Sequence, residues 1–517
     1  MTIEFRLVRS LIGTFALAFL LGGCATTVNW DYPRAASTAF TQPQTTTVGA
    51  LFQEAAERHP AQSGFALLLQ GSRAFTARLA MADLAEKTLD VQYYIWDSDT
   101  TGRIMAEQLL RAADRGVRVR LLLDDHYQSE ENDLKVAALD AHPNIEVRIF
   151  NPVANRRWRT LSFLSEFSRA NHRMHNKLFI ADNAIGIVGG RNIADVYFGV
   201  RPDSNFRDLD VAMAGPIVRD LSTSFDAFWN STWSIPAGAM VSQQVTRQDY
   251  LAARRKLDEN IAAAGYPYPV DESVADLRDR LAEVRDKFIW APGHVYSEDP
   301  SRVDTEDGGR IIYGALRERV RQTKHELLIE SPYLILNDRS IQGVKALTAR
   351  NVKVRILTNS AATNDVIAAH AGYAETREDL INAGAEIYEL RPDSNMKRDW
   401  SIAAGKSRAA LHAKALVFDR ESVFIGSFNL DPRSTAINTE IGVMIDSPEI
   451  ARQLGAFMDD GVSPGSAFRV TLDKDDNLVW TSETNGTKDT LNSDPATSFW
   501  QRLMIDAIGL LPIEDQL

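Results

Sequence analysis

A chain of 517 residues is longer than one hydrophobic core usually supports, so two or three domains are expected. With 44% hydrophobic and 24% charged residues the composition excludes a disordered or fibrous chain, and the lack of any repeat with a period of roughly 20 to 50 residues excludes solenoids and propellers. The net charge of −12 argues against a nucleic-acid binder, whose affinity comes from Lys and Arg set against phosphates.

In residues 1–23, Arg6 and Arg9 precede an apolar run over 11–21 that is too short to span a membrane and closes on Leu21-Gly22-Gly23-Cys24, which reads as a signal peptide. Cys24 is the single cysteine, so no intramolecular disulfide can form. Residues 24–50, rich in Thr, Ala and Pro, read as a flexible tether.

A first domain is expected over 51–243. Its branched and aromatic stretch 89–96 predicts a strand. Ile104, Leu109, Leu110 and Ala113 then make one helical stripe that stops at Arg115-Gly116, and 117–123 predicts the next strand. That is a βαβ unit in a largely buried sheet. A helix over 133–140 and a strand over 145–150 extend it. The segment His175-Asn-Lys177-Leu-Phe-Ile-Ala-Asp182 follows, with His175 and Lys177 on one face if it is a strand. Asp182-Asn183 marks a turn, 185–188 a strand and 216–233 an apolar helix.

Residues 244–300 read as a helical connector, with charged helical patterns over 247–264 and 272–287. The second domain, 301–467, repeats the first. Strand 326–333, helix 341–349 and strand 351–357 lead to His412-Ala-Lys414-Ala-Leu-Val-Phe-Asp419, the same His-x-Lys-x4-Asp spacing. An asparagine lies 17 residues after each histidine, Asn192 and Asn429, and Asp208 and Glu440 each lie eight residues before a proline, Pro216 and Pro448. Residues 468–517 close the chain with a hairpin turning at 475–477 and a helix over 496–511.

Duplicated His, Lys and Asn suit displacement at a phosphodiester. Cationic and amide donors can stabilise charge that grows on the equatorial oxygens, here Lys177, Lys414, Asn192 and Asn429. One histidine can attack phosphorus while the other protonates the leaving oxygen and then deprotonates the acceptor. Each ring needs an acceptor on its far nitrogen, and Asp208 and Glu440 are the candidates. The candidate catalytic set is therefore His175, Lys177, Asp182, His412, Lys414 and Asp419, with the two aspartates fixing the turn after each segment. A lysine beside each histidine disfavours a zinc or magnesium site, so no metal and no cofactor is expected. His126, at a strand end after Asp124-Asp125, and His370 are open between substrate contact and a structural role. Locally basic stretches, 153–173 with Arg156, Arg157, Arg159, Arg169 and Arg173, and 395–410 with Lys397, Arg398, Lys406 and Arg408, are expected either to meet anionic headgroups or to be solvated loops.

Together these segments resemble the phospholipase D superfamily, and within it the bacterial cardiolipin synthase branch, most of all its C-type members. Leu-Asp-Val-Gln-Tyr-Tyr-Ile-Trp, Met-His-Asn-Lys, Val-Gly-Gly-Arg-Asn-Ile, Gly-Ser-Phe-Asn-Leu-Asp-Pro-Arg-Ser and Asn-Thr-Glu carry the likeness. It implies an α/β fold of two pseudo-symmetric α/β/α sandwich domains sharing one active site, and a phosphohistidine intermediate on His175 with His412 as general acid and base. It also implies transfer of a phosphatidyl group to phosphatidylglycerol from phosphatidylglycerol or phosphatidylethanolamine. Hydrolytic phospholipase D, a phosphodiesterase or nuclease, and an inactive envelope lipoprotein are the alternatives. Leu-Gly-Gly-Cys resembles the lipobox of bacterial lipoproteins; it implies lipidation of Cys24, a membrane anchor on the periplasmic side and, with Ala25 next, the outer membrane.

Overall fold

The computed structural model describes residues 27–264, 277, 283–304, 310–394, 408–484 and 486–509. The signal peptide, Cys24, and the basic residues at 397, 398 and 406 lie outside the described residues, as do most of the second connector helix pattern and the end of the C-terminal one.

In the first half the chain runs through helix α1 (Thr47–Arg58), strand β1 (Ser63–Leu68), α2 (Gly71–Leu84), β2 (Thr88–Tyr93), α3 (Thr100–Asp114), β3 (Arg118–Asp124), α4 (Glu130–Asp140) and β4 (Ile145–Phe150). It continues with α5 (Arg159–Ser165), β5 (Leu178–Ala181), β6 (Ile185–Gly189), β7 (Ser204–Arg207), β8 (Asp210–Ala214), α6 (Ile217–Trp229) and β9 (Ser234–Pro236). After α7 (Arg247–Ala264) come β10 (Ile289–Ala291) and β11 (Gly293–Ser297). The second half holds α8 (Ile311–Gln322), β12 (Glu326–Glu330), α9 (Asp338–Thr348), β13 (Lys353–Asn359), α10 (Ile367–Asn382) and β14 (Glu386–Leu390). It ends with β15 (Arg408–Leu411), β16 (Ala415–Phe418), β17 (Ser422–Gly426), β18 (Ile441–Asp446), α11 (Pro448–Gly461), β19 (Ala467–Leu472), β20 (Leu478–Thr484), β21 (Thr487–Leu491) and α12 (Phe499–Gly509).

Two mixed sheets result, in the orders β10-β1-β8-β6-β5-β2-β3-β4-β9 and β11-β18-β17-β16-β12-β13-β14-β19-β20-β21. The duplication read from the sequence reappears as matched centres, β8-β6-β5-β2-β3-β4 and β18-β17-β16-β12-β13-β14. Both rest on local chemistry. Asp99 caps α3 by accepting from the Gly102 N–H, and the chain leaves the helix through Gly116 at φ 94°. The matching position after α9 is Asn351 at φ 63°, asparagine being the other residue that tolerates this conformation. Each motif hairpin turns through two successive left-handed residues, Asp182-Asn183 and Asp419-Arg420, the backbone of a tight turn that suits strand twist.

Strands β5 and β6 are buried on both faces, which explains their unbroken apolar runs. Phe179 and Ile187 enter the core of the first half, while Leu178, Ile180 and Val188 enter a second core shared with Val417, Ile425 and Val443 of the other half. The two halves thus meet through the sheets, flanked by α6 and α11, whose Phe225, Phe228, Trp229, Leu454 and Met458 complete the shared core. Burying each such side chain contributes about 1.5–3 kcal/mol.

Three segments differ from the sequence reading. Residues 27–46, expected as tether, lie along the body, with Val28 buried and Ala39 N–H bonded to Asp226. The end of the connector is not helical: β10 joins the first sheet and β11 the second, so this stretch sews the sheets together. A parallel pair, β7 with β15, forms a third small sheet with one strand from each half. None of these has a local pattern, because each is settled by a partner distant in sequence.

Candidate active site

The two motif histidines lie just outside regular strands, which corrects the expectation of a strand through His175 and Lys177. β5 begins only at Leu178 and β16 at Ala415. The residues before them are extended but bond to the opposite half. His175 N–H donates to the Thr439 carbonyl at 2.9 Å and Thr439 N–H to the Arg173 carbonyl at 2.9 Å. His412 and Ala413 N–H groups share the Arg207 carbonyl at 2.8 and 3.1 Å. Thr439 and Arg207 each precede a carboxylate residue, so the backbone clamp sets each histidine against the acid of the other half.

The pairing is therefore crossed. His175 Nδ1 lies 2.9 and 2.8 Å from the two oxygens of Glu440, and His412 Nδ1 lies 2.7 Å from Asp208 Oδ2. With Nδ1 tied to a carboxylate, each ring is left with Nε2 for chemistry. Glu440 also accepts from the Ser427 hydroxyl and from Ser434 Oγ at 2.7 Å. Asp208 accepts from Leu209 N–H at 2.8 Å. Where the second half has Ser427 the first has Gly190, and a Cβ there would meet Asp208 Oδ1 at 2.1 Å, so the glycine makes room for the acid.

Lys177 Nζ donates to the His175 carbonyl at 2.6 Å, and Lys414 Nζ to the His412 carbonyl at 2.6 Å while lying 3.0 Å from His412 Nδ1. All four motif side chains are buried. Burial pushes the His175 ring down to about 4 against the pull of Glu440, and holds His412 well below its ordinary range, with Lys414 and Lys177 adding to the effect. Burial thus favours the neutral form of both rings. Burial also lowers the Lys177 ammonium to about 7 and that of Lys414 to about 8. An anion placed between them would raise both again. Among the described residues no three His, Cys, Asp or Glu side chains converge as metal ligands.

Aromatic rings hold the imidazoles. Tyr94 meets His175 edge-on with centroids 4.9 Å apart and lies under Lys177 Nζ, while Tyr197 and Phe206 lie 5.0 Å from His412. A cleft of about 640 Å³ opens beside His412, lined by Tyr127, Tyr197, Phe206, Asn364, Asp365 and Arg408 among others.

The remaining candidates are placed as follows. Asn192 is buried with its amide engaged inside the first half: Oδ1 accepts from Ile95 N–H at 3.1 Å and Nδ2 donates to Tyr197 OH at 2.9 Å. Asn429 is buried with Oδ1 unpartnered, and its backbone N–H donates to Ser434 Oγ. Asp182 and Asp419 sit at the far ends of β5 and β16. Asp182 accepts the N–H groups of Glu86, Lys87 and Thr88, and Asp419 those of Lys324, His325 and Glu326. His126 stacks on Tyr94, one ring away from His175. His370 is buried against Tyr373 near Asp494 in the packing of the C-terminal segment.

Most arginines of 153–173 are neither free surface cations nor part of a solvated loop, but are paired with acids of the first half. Arg156 is buried between Asp125 and Asp133, Arg159 pairs with Asp125, Arg173 with Asp124 and Arg169 with Glu166. Burying these guanidiniums demanded partners, and of the five only Arg157 lies exposed, beside the Trp158 ring. Arg408, from the second basic stretch, donates to the Ala362 carbonyl at 2.6 Å.

Sequence reasoning assigned no role to Tyr94, Tyr197, Phe206, Ser427 or Ser434. The two serines stand within Gly-Ser-Phe-Asn-Leu-Asp-Pro-Arg-Ser, whose spacing around Asn429 was the available signal. Tyr197 and Phe206 act on a histidine of the other half and left none.

Residues 79–229 and 316–460 match the family model described as cardiolipin synthase, PLD-like domain. Cardiolipin synthase C of Escherichia coli strain K12 is 37% identical over 473 residues, covering 88% of this chain and 97% of that protein. A cardiolipin synthase of Geobacillus kaustophilus is 25% identical over 393 residues, covering 75% of this chain and 64% of that protein. Among solved structures, phosphatidylserine synthase of Haemophilus influenzae Rd KW20 superposes with a TM-score of 0.56 at 12% identity, over 91% of this chain and 100% of that one, which shows a shared fold. The chain belongs to the cardiolipin synthase family of PLD-like domain proteins and is a phosphatidyltransferase of that family.

Proposed function

We propose that this phosphatidyltransferase makes cardiolipin, moving a phosphatidyl group from phosphatidylglycerol or phosphatidylethanolamine to the hydroxyl of a second phosphatidylglycerol. The observation that carries the reading is the crossed pair of histidine–carboxylate contacts with two lysines in one buried site. His175 Nε2 attacks phosphorus, a P–N bond forms, and the P–O bond to the donor headgroup breaks as His412, carried to its imidazolium form by the donor's anionic phosphate and Asp208, gives its Nε2 proton to the leaving oxygen and keeps Nδ1–H on Asp208. The acceptor hydroxyl then yields its proton to His412 and attacks phosphorus, breaking the P–N bond. Lys177 and Lys414 face the charge that grows on the non-bridging oxygens.

The asymmetry of the acids supports His175 as nucleophile. Glu440 pays a burial cost, but His175, Lys177 and Ser427 hold it below the ordinary carboxylate range, so it stays anionic opposite the positive charge that grows on the attacking ring. Asp208 is raised to about 6 by burial and has fewer donors, which suits a histidine that must cycle its proton. The E. coli and Geobacillus relatives named cardiolipin synthase support the product. Lipidation of Cys24 and a site on the periplasmic side of the outer membrane are part of the same proposal.

Incubation with labelled phosphatidylglycerol and phosphatidylethanolamine in detergent tests it. Cardiolipin is the expected product; phosphatidic acid as the main product would reassign the enzyme as a hydrolase. His175→Ala should abolish the acid-labile phosphoenzyme, and its persistence in that variant would move the nucleophile to His412.

A further inference from the structure

The segment leading to the first motif turns its ion-paired side chains inward and its large apolar ones outward. In and around α5, Arg156, Arg159, Ser162 and Glu166 face the protein, while Arg157, Thr160, Ser165 and Ser168 are exposed. Arg156 is gripped by Asp125 and Asp133, Arg159 by Asp125, and Ser162 Oγ donates to Glu166 at 2.5 Å and accepts from Asn155 N–H at 3.1 Å. The apolar side chains face out: Trp158 is 55% exposed, Leu161 63%, Leu164 63% and Phe167 42%. A helix on a soluble surface shows the reverse arrangement. Single exposed leucines need no account, but four large apolar groups on a segment anchored by buried ion pairs form a patch the fold holds open.

Two observations say what covers it. The patch borders the catalytic site: Arg159 grips Asp125, the neighbouring His126 stacks on Tyr94, and Tyr94 abuts His175, with Tyr127 51% exposed alongside. The N-terminal end of the described chain runs beside it, Thr27 bridging to Asn155 and Val28 N–H donating to the Ala154 carbonyl at 2.9 Å. Cys24 is three residues earlier, at most about 11 Å of extended chain from Thr27. With a net charge of −12, general electrostatics opposes an anionic bilayer, so apolar insertion must supply the attachment.

We infer that this face docks on a phospholipid bilayer, with Trp158, Leu161, Leu164 and Phe167 inserted at the headgroup and acyl boundary and Arg157 among the phosphates. The cleft then opens toward lipids that need not enter water. The inference rests on the phosphatidyl-transfer reading for its purpose, but the quenching arm of its test does not.

The full-length chain is mixed with phosphatidylglycerol–phosphatidylethanolamine vesicles carrying brominated acyl chains. The difference in quenching between wild type and Trp158→Ala isolates Trp158. Quenching of Trp158 is expected, with its loss in Leu161→Glu/Leu164→Glu. The same double variant should turn over vesicle lipid at least about tenfold more slowly than wild type while matching it on a short-chain phospholipid dispersed as monomers. Unquenched Trp158, or a Trp158 buried by self-association without lipid, overturns the inference; so does a double variant that processes vesicles normally. Quenching without any lipid turnover would refute the proposed activity and leave the docking face standing.

Discussion

At the scale of single residues, the site is a set of buried groups whose charges depend on what fills the cleft. Lys177 and Lys414, lowered by burial to about 7 and 8, must be protonated to meet a phosphate. In the free enzyme that requirement fails within the physiological range. We predict that kcat/KM falls between pH 7 and 9, while kcat falls only at higher pH because bound phosphate raises both lysines. On the acid side the limb should lie near 6, where Asp208 protonates and releases His412. A kcat/KM profile flat from pH 7 to 9 would sink this account. The linkage to stability has a definite sign: both folded-state values lie below that of an unfolded lysine, so the unfolded chain binds protons first. Stability is lost as pH falls from about 10 toward 7.

At the scale of elements, each motif hairpin is held at its far end by its aspartate. Asp182 ties the β5–β6 turn to three N–H groups at the start of β2. Asp182→Ala strands those donors, at a cost of about 2–4 kcal/mol to the first half. Urea unfolding followed by first-half tryptophans should show that loss, whereas an unchanged midpoint would make the contact dispensable. Helices α1, α2, α5, α8 and α10 received no reading, whereas α3, α4, α6, α7, α9 and α12 were legible in sequence because periodicity and caps are local: α7 spans the predicted 247–264, and the αL stop after α3 falls at Gly116. The strands β7, β10, β11 and β21 were not, being three to five residues long and fixed by partners elsewhere in the chain.

At the scale of the molecule, the interface between the halves is the active site, and it is also a buried ionic contact. Arg207 of β7 reaches Glu330 of β12 at 2.9 Å, with both side chains buried, and its carbonyl holds His412. Arg207→Ala leaves Glu330 buried without its cation, costing about 3–5 kcal/mol. Thermal melting and limited proteolysis between the halves should both report it, with turnover lost in parallel; a variant that melts like wild type would show that the sheets alone hold the interface. The duplicated octets, the α/β repeats and the identity of the two acids were written in the sequence, because spacing along one strand or helix is a local property that repeats when a unit repeats. Which acid serves which histidine, the inward use of Arg156, Arg159, Arg169 and Arg173, and the aromatic rings around His412 were decided only by tertiary structure. They depend on which surfaces the two halves bury against each other, and that choice joins residues some 200 positions apart, such as His412 and Asp208, for which spacing in one chain carries no signal.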